Sequence, residues 1–276
     1  MICAGMRNRV RVMRTANIQI LGEQFMPRST DWTRQETLAA FHIYLQLPFG
    51  QLHQRNPLIR QLAEWIGRTP GSDALKLVNF ASLDPQVRAS GRAGMSNASR
   101  LDKLIWSELN EDWDLVAGEA ARVYEHQGSE HGVTPGSDVV EEVPEIAEGR
   151  TVNATVKVRV NQARFRRAVL ASYSARCCIS GLAVPQLLIA SHIVPWSMDA
   201  KNRLNPQNGL CLSALHDKAF DIGLITVLPN YTVRVSKTLM VADLDDFTQQ
   251  ALAKYDGRAI ALPERFKPNP SFLEAH

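Results

Sequence analysis

One structural unit is specified by two short stretches of the sequence, LLIASHIVPW at residues 187–196 and NPQNGLCLSALHDKAFD at residues 205–221. The apolar run Leu187–Ala190 predicts a short strand. We expect this strand to end at Ser191-His192, because Pro195 cannot donate to a strand ladder and stops regular pairing.

A polar loop is expected over residues 197–207, and Asn208-Gly209 is a turn signal. The residues that follow fit a short helix, with an apolar side made of Leu210, Leu212, Leu215, Ala219 and Phe220. The predicted order is strand, loop, strand or turn, and helix, which is a compact ββα unit.

The polar residues of this unit are the types that phosphodiester hydrolysis needs. His192 lies at a strand end, and a neutral imidazole accepts a proton from water near pH 7. The Asn208 amide can hold His192 or its loop by hydrogen bonds. Asp217 and Asp221 are four residues apart and share one helix face, where both can reach one divalent cation. His216 is less well aligned, but it can meet the cation from the helix start.

Each residue also has an ordinary structural explanation. A histidine before Ile-Val-Pro can be a hydrogen-bonded polar residue, and Asn-Gly can be only a turn. Asp221 can cap a following segment, and His216-Asp217 can be a solvated helix face. The order and spacing of the whole set, rather than any single residue, favour a catalytic site.

The set resembles a known nuclease domain. Three stretches, CCISGL (177–182), ASHIVPW (190–196) and NRLNPQNGLCLSALHDKAFDIGLI (202–225), resemble the His-Asn-His (HNH) domain of bacterial restriction-type endonucleases. The likeness covers residues 160–230. Upstream, NPLIRQLAEWIGRTPGSDALKLVNFASLDP (56–85) and SNASRLDKLIW (96–106) resemble the N-terminal part of similar restriction-type sequences.

The resemblance implies roles for the matching residues. His192 is implied to be the general base and Asn208 the orienting asparagine. The metal-binding helix position falls on His216 or Asp217, and Asp221 matches an acid four residues further on. One divalent ion per site is implied, with Mg²⁺ or Mn²⁺ preferred over Zn²⁺ or Ni²⁺.

The sequence departs from the family at two places. Ser191 stands where the family often has an acidic metal ligand, so this position offers only a weak neutral ligand. The paired C-x-x-C motifs of many relatives are absent, and the region holds only Cys177, Cys178 and Cys211. A structural zinc ion is therefore not expected.

The net charge of +3 is unevenly spread, since residues 150–276 carry 16 Lys and Arg against nine acids. A basic half of this kind suits a polyanion such as double-stranded DNA, although an ordinary basic surface has the same composition. The candidate DNA contacts are Arg68, Lys76, Arg164, Arg166, Arg167, Lys201 and Arg203.

The N-terminal half is predicted to be helical. Thr33 with Glu36 is a capping-box pattern, and Asn56-Pro57 opens a second helix. A third helix is predicted over Asp73–Phe80 and a further one over Ser99–Tyr124. Helix, turn, helix is the outline of a DNA-reading motif, although a plain helical hairpin has the same outline. The reading helix would present Ser72, Asp73, Lys76 and Asn79, with Arg68 at its entrance.

The predicted fold class is α+β, a helical N-terminal domain joined by an acidic linker to a C-terminal ββα-metal HNH nuclease domain. The predicted divisions are a flexible extension at 1–30, a helical DNA-recognition domain at 31–124, a linker at 125–150, and the nuclease domain at 151–276 with its core at 177–226. Residues 125–149 hold seven acids and no Lys or Arg.

Three further elements are expected in the C-terminal half. Thr151–Val160 alternates apolar and polar residues, which predicts a strand or extended arm. Phe165–Tyr173 is predicted to be a helix. Thr248–His276 is predicted to add a helix and an extended segment ending at Phe272-Leu273.

The composition bounds the class of protein. The 276 residues are 45% hydrophobic and 21% charged, as in globular proteins. No run approaches the roughly 18 apolar residues of a membrane span, and the basic start lacks the apolar core of a secretory signal. We therefore expect a cytoplasmic protein without membrane contact. Four cysteines are too few for a disulfide scaffold.

These features favour a metal-dependent endonuclease that acts on double-stranded DNA in restriction or defence. Its helical domain would select a sequence or a modified base. Cutting both strands with one site per chain favours a homodimer. The alternative is a DNA-binding or regulatory protein with an inactive HNH-like unit, which Ser191 favours. A nuclease for RNA or single strands is less favoured, because no aromatic-basic stacking pattern is present.

Overall fold

The computed structural model describes residues 31–91, 97–133, 152–240 and 244–276. Within them the α-helices are α1 Arg34–Gln46, α2 Pro57–Ile66, α3 Pro70–Ala81, α4 Pro85–Ala89, α5 Arg100–Glu111, α6 Trp113–Glu130, α7 Val152–Ser172, α8 Ala214–Asp221, α9 Asp246–Ala251 and α10 Pro270–Ala275. The strands are β1 Leu188–His192, β2 Gly209–Ser213, β3 Ile225–Val227 and β4 Val233–Val235. The chain is thus mixed helix and sheet, as predicted.

The first helices begin where their capping residues predict. Thr33 and Glu36 form a complete capping box at the start of α1. Asn56 caps α2 through its side chain, and the helix ends at Gly67, whose φ of 62° is a left-handed conformation that glycine adopts without strain. Thr69 caps α3, which begins at Pro70, three residues before the predicted start.

The single helix predicted over Ser99–Tyr124 is wrong. Two helices, α5 and α6, cover this region and meet at Asp112. The backbone of Asp112 is extended, with φ −154° and ψ 96°, and its side chain accepts a hydrogen bond from the Leu115 amide. Asp112 therefore ends one helix and caps the next.

The predicted DNA-reading face of α3 is buried. Asp73, Lys76 and Asn79 all lie inside the helical core, and only 4% of Lys76 is exposed. The Nζ atom of Lys76 lies 2.7 Å from a carboxylate oxygen of the fully buried Asp102 on α5. These residues cannot read base edges in this arrangement, so the prediction that Lys76 contacts DNA is wrong.

The strand predicted over Thr151–Val160 is also wrong, because Val152–Ser172 is one helix, α7. The predicted helix over Phe165–Tyr173 is its C-terminal part. A β-branched residue costs a helix less than about 1 kcal/mol, so tertiary packing can override an alternating valine pattern. Phe165, Ala168 and Val169 of α7 are buried, where the helix packs against β1 and β2.

The ββα unit is present. Strands β1 and β2 pair antiparallel, with Leu188 opposite Ser213 and His192 opposite Gly209. Leu210 and Leu212 belong to β2, contrary to the helix predicted for them, and α8 begins only at Ala214. Ser213 caps α8 by accepting a hydrogen bond from the His216 amide. A second two-stranded sheet, β3 and β4, follows.

The C-terminal segment forms two short helices, and Phe272-Leu273 lies in α10 rather than in the predicted extended segment. Before α10 the chain packs against the N-terminal helices α1 and α6. Arg265 is fully buried and donates to the Tyr44 carbonyl oxygen, with its guanidinium 4.5 Å from the centre of the Tyr44 ring. Phe266 packs edge to face on Trp113 at 5.3 Å.

Residues from Thr33 to His276 pack as one unit. The predicted extension at 1–30 and the linker residues 134–150 lie outside the described residues. Helix α6 runs to Glu130, so the first residues of the predicted linker are helical. The division into domains at 31–124 and 151–276 stays a prediction. In the part of the chain that is described, no helix is long and apolar enough to cross a membrane.

Candidate functional site

His192 ends β1, and three neighbours fix its imidazole. The ring stacks on Phe165 of α7, with centroids 3.7 Å apart and an interplanar angle of 13°. Trp196 approaches it edge to face at 5.4 Å. The Nε2 atom lies 3.0 Å from the carbonyl oxygen of Arg203. The side chain therefore has little freedom to rotate.

The contact with Arg203 decides where the ring proton lies. A carbonyl oxygen only accepts hydrogen bonds, so Nε2 of His192 must carry the proton and donate it. The neutral ring then has its lone pair on Nδ1. Burial lowers the pKa of His192, and the hydrogen bond to Arg203 only partly offsets this. The side chain is thus a neutral base with one free nitrogen near neutral pH.

Asn208 holds the backbone just after His192. Its Oδ1 accepts from the Val194 amide at 2.8 Å, and its Nδ2 donates to the Val194 carbonyl at 3.1 Å. The Asn208 carbonyl in turn accepts from the Ile193 amide at 3.0 Å. Asn208 therefore contacts the loop that leaves the strand rather than the imidazole itself.

Three further polar residues shape this loop and were missed by the sequence reasoning. Asp199 accepts hydrogen bonds from the Lys201 and Asn202 amides. The Asn205 side chain donates to the Asn202 side chain at 2.8 Å, and the backbone N–H of Asn208 donates to the backbone carbonyl of Asn205 at 2.9 Å. The available signal was an Asp or Asn at every third position from 199 to 208, a spacing that favours successive side-chain turns.

Asp217 of α8 lies beside Ser191 on the strand that carries His192. Burial raises the pKa of Asp217, the nearby Asp221 carboxylate raises it further, and the Ser191 hydroxyl lowers it. Only 3% of Ser191 is exposed, and its Oγ makes no hydrogen bond of ordinary geometry. Asp217 therefore lies near both Ser191 and Asp221.

His216 faces the opposite way. Its Nε2 lies 2.9 Å from the Ala251 carbonyl oxygen, and its Nδ1 lies 2.8 Å from the Ser213 hydroxyl and 3.6 Å from the Cys177 sulfur. Only 3% of the residue is exposed. Since both ring nitrogens are engaged, His216 holds α8 against the segment around Ala251 and offers no free nitrogen to a metal.

The donor atoms at the site suit a hard cation. Among the residues that the structure describes, no three His, Cys, Asp or Glu side chains lie close enough together to hold a metal ion. Asp217 and Asp221 supply two carboxylates, and the buried Ser191 hydroxyl lies beside Asp217. Mg²⁺ is commonly bound by one or two carboxylates, with water and substrate phosphate completing its shell. The residues present therefore fit Mg²⁺ or Mn²⁺.

The candidate DNA contacts are mostly paired within the protein. Arg68 bonds to Glu36 at 2.9 Å, Arg164 pairs with Glu125, and Arg167 donates to Gln46 at 3.0 Å. Arg166 donates to the carbonyl oxygens of Leu188 and Pro185, which anchors the start of β1. Arg203 donates from Nε to the Trp196 carbonyl at 3.0 Å. Lys201 lies exposed at the loop surface.

The cysteines of the region are buried and form no disulfide. Burial raises the pKa of the Cys177 thiol, but hydrogen bonds with His216 and Ser180 outweigh it and lower the pKa to about 6. Burial raises the pKa of Cys178 and brings that of Cys211 to about 12.

His276 is another residue that the sequence did not point to. Its ring stacks on Phe220 at 3.7 Å, and its Nδ1 lies 3.0 Å from the Thr226 hydroxyl. Burial lowers the pKa of His276, while the Asp221 carboxylate raises it. No local pattern signals this contact, because the histidine and Asp221 lie far apart in the sequence.

Comparison with known proteins bears on the same unit. Residues 177–228 match the family model described as HNH endonuclease. No curated protein sequence matches the chain. The match confirms the likeness to an HNH domain, and it covers both strands of the ββα unit and its helix. Residues 177–228 of this chain are therefore an HNH endonuclease domain, which indicates nuclease activity.

Proposed function

We propose that this protein is a divalent-metal-dependent endonuclease of the restriction type that hydrolyses phosphodiester bonds in double-stranded DNA. One observation carries the proposal. His192 donates its Nε2 proton to the Arg203 carbonyl, which leaves Nδ1 as a free base in the unit that also holds Asp217 and Asp221.

His192 acts as the general base. A nuclease must remove a proton from the attacking water, and Nδ1 of a neutral imidazole accepts it. The stacked Phe165 ring excludes water from one face of the imidazole, and Asn208 fixes the backbone that follows. His192 thus presents Nδ1 as its basic nitrogen, in an orientation that its neighbours fix.

Asp217 and Asp221 hold the metal ion in this proposal, and the Ser191 hydroxyl lies beside Asp217. When bound, the ion supplies charge stabilisation for the leaving oxygen as a Lewis acid. We prefer Asp217 to His216 as the ligand, because both nitrogens of His216 are already hydrogen bonded. Oxygen donors favour Mg²⁺ or Mn²⁺ over softer ions.

DNA is the substrate that the basic C-terminal half favours, with 16 Lys and Arg against nine acids in residues 150–276. We assign target selection to the helical half, and a role in cytoplasmic restriction or defence to the whole protein. A homodimer would supply two sites for two strands. Lys201 is the candidate phosphate contact, because it lies exposed at the surface of the loop between β1 and β2.

The test is plasmid cleavage with Mg²⁺ or Mn²⁺, comparing the wild type with His192→Ala, Asp217→Asn and His216→Gln. His126→Ala serves as a control, because His126 is an exposed histidine on α6. We expect His192→Ala and Asp217→Asn to abolish nicking and the control to retain it. Nicking that survives His192→Ala contradicts the assignment of the base. A well-folded wild type that binds DNA and cuts no substrate with either ion supports the inactive, regulatory alternative.

A further inference from the structure

Arg203 makes three contacts that converge on the candidate base. Its carbonyl oxygen accepts the Nε2 proton of His192 at 3.0 Å. Its Nε donates to the Trp196 carbonyl at 3.0 Å. Its guanidinium lies over the Trp196 indole, 5.5 Å from the ring centre. The side chain therefore points back toward the loop rather than outward to a substrate.

Trp196 contacts the candidate base as well as Arg203. Its ring meets the His192 imidazole edge to face, with centroids 5.4 Å apart and an interplanar angle of 89°. His192 thus contacts the backbone carbonyl of Arg203 and the ring of Trp196. The Arg203 side chain in turn contacts both the carbonyl and the ring of Trp196. Movement of the Arg203 side chain would break both of its contacts with Trp196, next to the residue whose carbonyl holds the imidazole.

The backbone around Arg203 is fixed from outside as well. The carbonyl of Lys201 accepts from the Asp114 amide in the first turn of α6 at 2.9 Å. The Asn202 carbonyl lies 3.5 Å from Nδ2 of Asn208. The loop is held on both sides of Arg203, since Leu204 and Asn205 are also buried, and the contacts of the Arg203 side chain with Trp196 add to this support at Arg203 itself.

We propose that Arg203 and Trp196 are positioning residues that hold His192 in the orientation of a general base, and that Arg203 acts through His192 rather than through a DNA phosphate. This rests on the proposed function, in which His192 activates water. An arginine beside a nuclease site would otherwise be assigned to the DNA backbone, since most basic contacts there are to phosphates.

Two substitutions separate these roles. Arg203→Gln removes the charge, but the Gln Nε2 stands the same number of bonds from Cα as the Arg Nε and can donate to the Trp196 carbonyl. Arg203→Lys keeps the charge that a phosphate needs but loses the planar group and the Nε–H. A positioning role predicts that Gln works better than Lys, and a phosphate contact predicts the reverse order.

The measurements are the single-turnover cleavage rate at saturating DNA and the dissociation constant for DNA over a range of salt. We expect Arg203→Gln, which can keep the hydrogen bond to Trp196 but loses the guanidinium over the indole, to retain more of the wild-type rate than Arg203→Lys. Arg203→Lys should lower the rate by roughly 10- to 100-fold, as when a group that orients a functional residue is removed. The salt dependence of binding should be the same in all three proteins. A slope reduced by about one in Arg203→Gln, with Lys near wild type, would overturn the proposal.

Trp196 provides an independent variant. Trp196→Phe keeps an aromatic ring and the backbone carbonyl, and we expect it to retain more activity than Trp196→Ala at equal DNA affinity. Equal loss in both variants contradicts the role of the ring. Circular dichroism and thermal melts identify any variant that fails to fold.

A spectroscopic measurement distinguishes failure of this inference from failure of the proposed function. The ¹⁵N chemical shifts of the His192 ring report which nitrogen carries the proton, whether or not the protein cuts DNA. We expect a single Nε2-protonated tautomer in the wild type and in Arg203→Gln, and a mixture in Arg203→Lys. The same tautomer in all three proteins would overturn the positioning role even if cleavage proceeds as proposed.

Discussion

The buried hydroxyl of Ser191 lies beside the carboxylate of Asp217, and this pair joins the strand that carries His192 to the helix that carries the acids. The Ser191 Oγ has no hydrogen-bond partner of ordinary geometry. The family resemblance places an acidic ligand at this position. In the proposed metal site, Ser191 therefore stands at the position of a third oxygen ligand and brings no charge.

Ser191→Asp should strengthen metal binding. The added carboxylate would lie beside Asp217, whose pKa burial and Asp221 already raise, so the variant should be less stable than the wild type in EDTA. With Mn²⁺ the order of stability should reverse, because the variant should bind Mn²⁺ about tenfold more tightly than the wild type, equal to roughly 1.4 kcal/mol. Calorimetric titration and melting with and without Mn²⁺ measure both effects. Ser191→Asn is the matched uncharged control, and equal Mn²⁺ affinity in the two variants would contradict the proposed metal site.

The rate of cleavage should fall at low pH with a midpoint below the ordinary histidine value of 6.5. Burial lowers the pKa of His192, and only the neutral form accepts a proton, so activity is lost as pH falls through this lowered pKa. Single-turnover rates over the acid range measure the midpoint. Phe165→Leu removes the stacked ring and should move the midpoint upward. A wild-type midpoint above 6.5 is the result that this explanation does not allow.

Gly209→Ala should damage both stability and activity. Gly209 lies opposite His192 in the hairpin, and a Cβ there would lie 2.5 Å from Val169 Cγ2 and 2.8 Å from Phe165 Cζ. Such overpacking costs about 1–3 kcal/mol, and the displaced Phe165 ring would push His192. Chemical denaturation and cleavage rates measure the two losses. Gly118→Ala on α6 is the control, because a Cβ there meets nothing within 4 Å. Wild-type behaviour of Gly209→Ala would show that α7 moves aside freely.

Lys76→Met should unfold the helical half rather than weaken DNA recognition. The substitution leaves the buried Asp102 carboxylate without its cation, which costs about 3–5 kcal/mol. Adding Asp102→Asn removes that charge and keeps an oxygen for the Ser99 amide that Asp102 caps. The double variant should therefore recover most of the stability and bind DNA like the wild type. A stable Lys76→Met protein with weakened DNA binding would restore Lys76 as a DNA contact.

Local patterns predicted most of the elements correctly. The capping box at Thr33 and Glu36, the Asn56 cap and the strand before His192 depend on neighbours within a few residues, so the sequence contains what they need. The same applies to the HNH family, which the match to residues 177–228 confirms. The pattern failed for Val152–Val160, where alternating valines indicated a strand and the structure has a helix.

Gly209 shows why local reading also misassigned individual roles. Asn208-Gly209 was interpreted as a turn, but Gly209 is extended, with φ −134° and ψ 142°. Glycine is required there because α7 passes too closely for a Cβ. Nothing near Gly209 in the sequence reveals the position of Val169 or Phe165.

The sequence by itself determined the order and spacing of His192, Asn208, Asp217 and Asp221, because helix and strand periodicity place such residues relative to one another. Only the tertiary structure decided which atoms are free to act. The Arg203 carbonyl takes the Nε2 proton of His192 and leaves Nδ1 as the base, while the Phe165 ring fixes the imidazole. The Ala251 carbonyl engages one nitrogen of His216. Lys76 is buried in an ion pair with Asp102. These contacts join residues between 11 and 35 positions apart. A side chain's free atoms depend on what the fold places against it, and that is set by packing between elements rather than by the residues beside it in the chain.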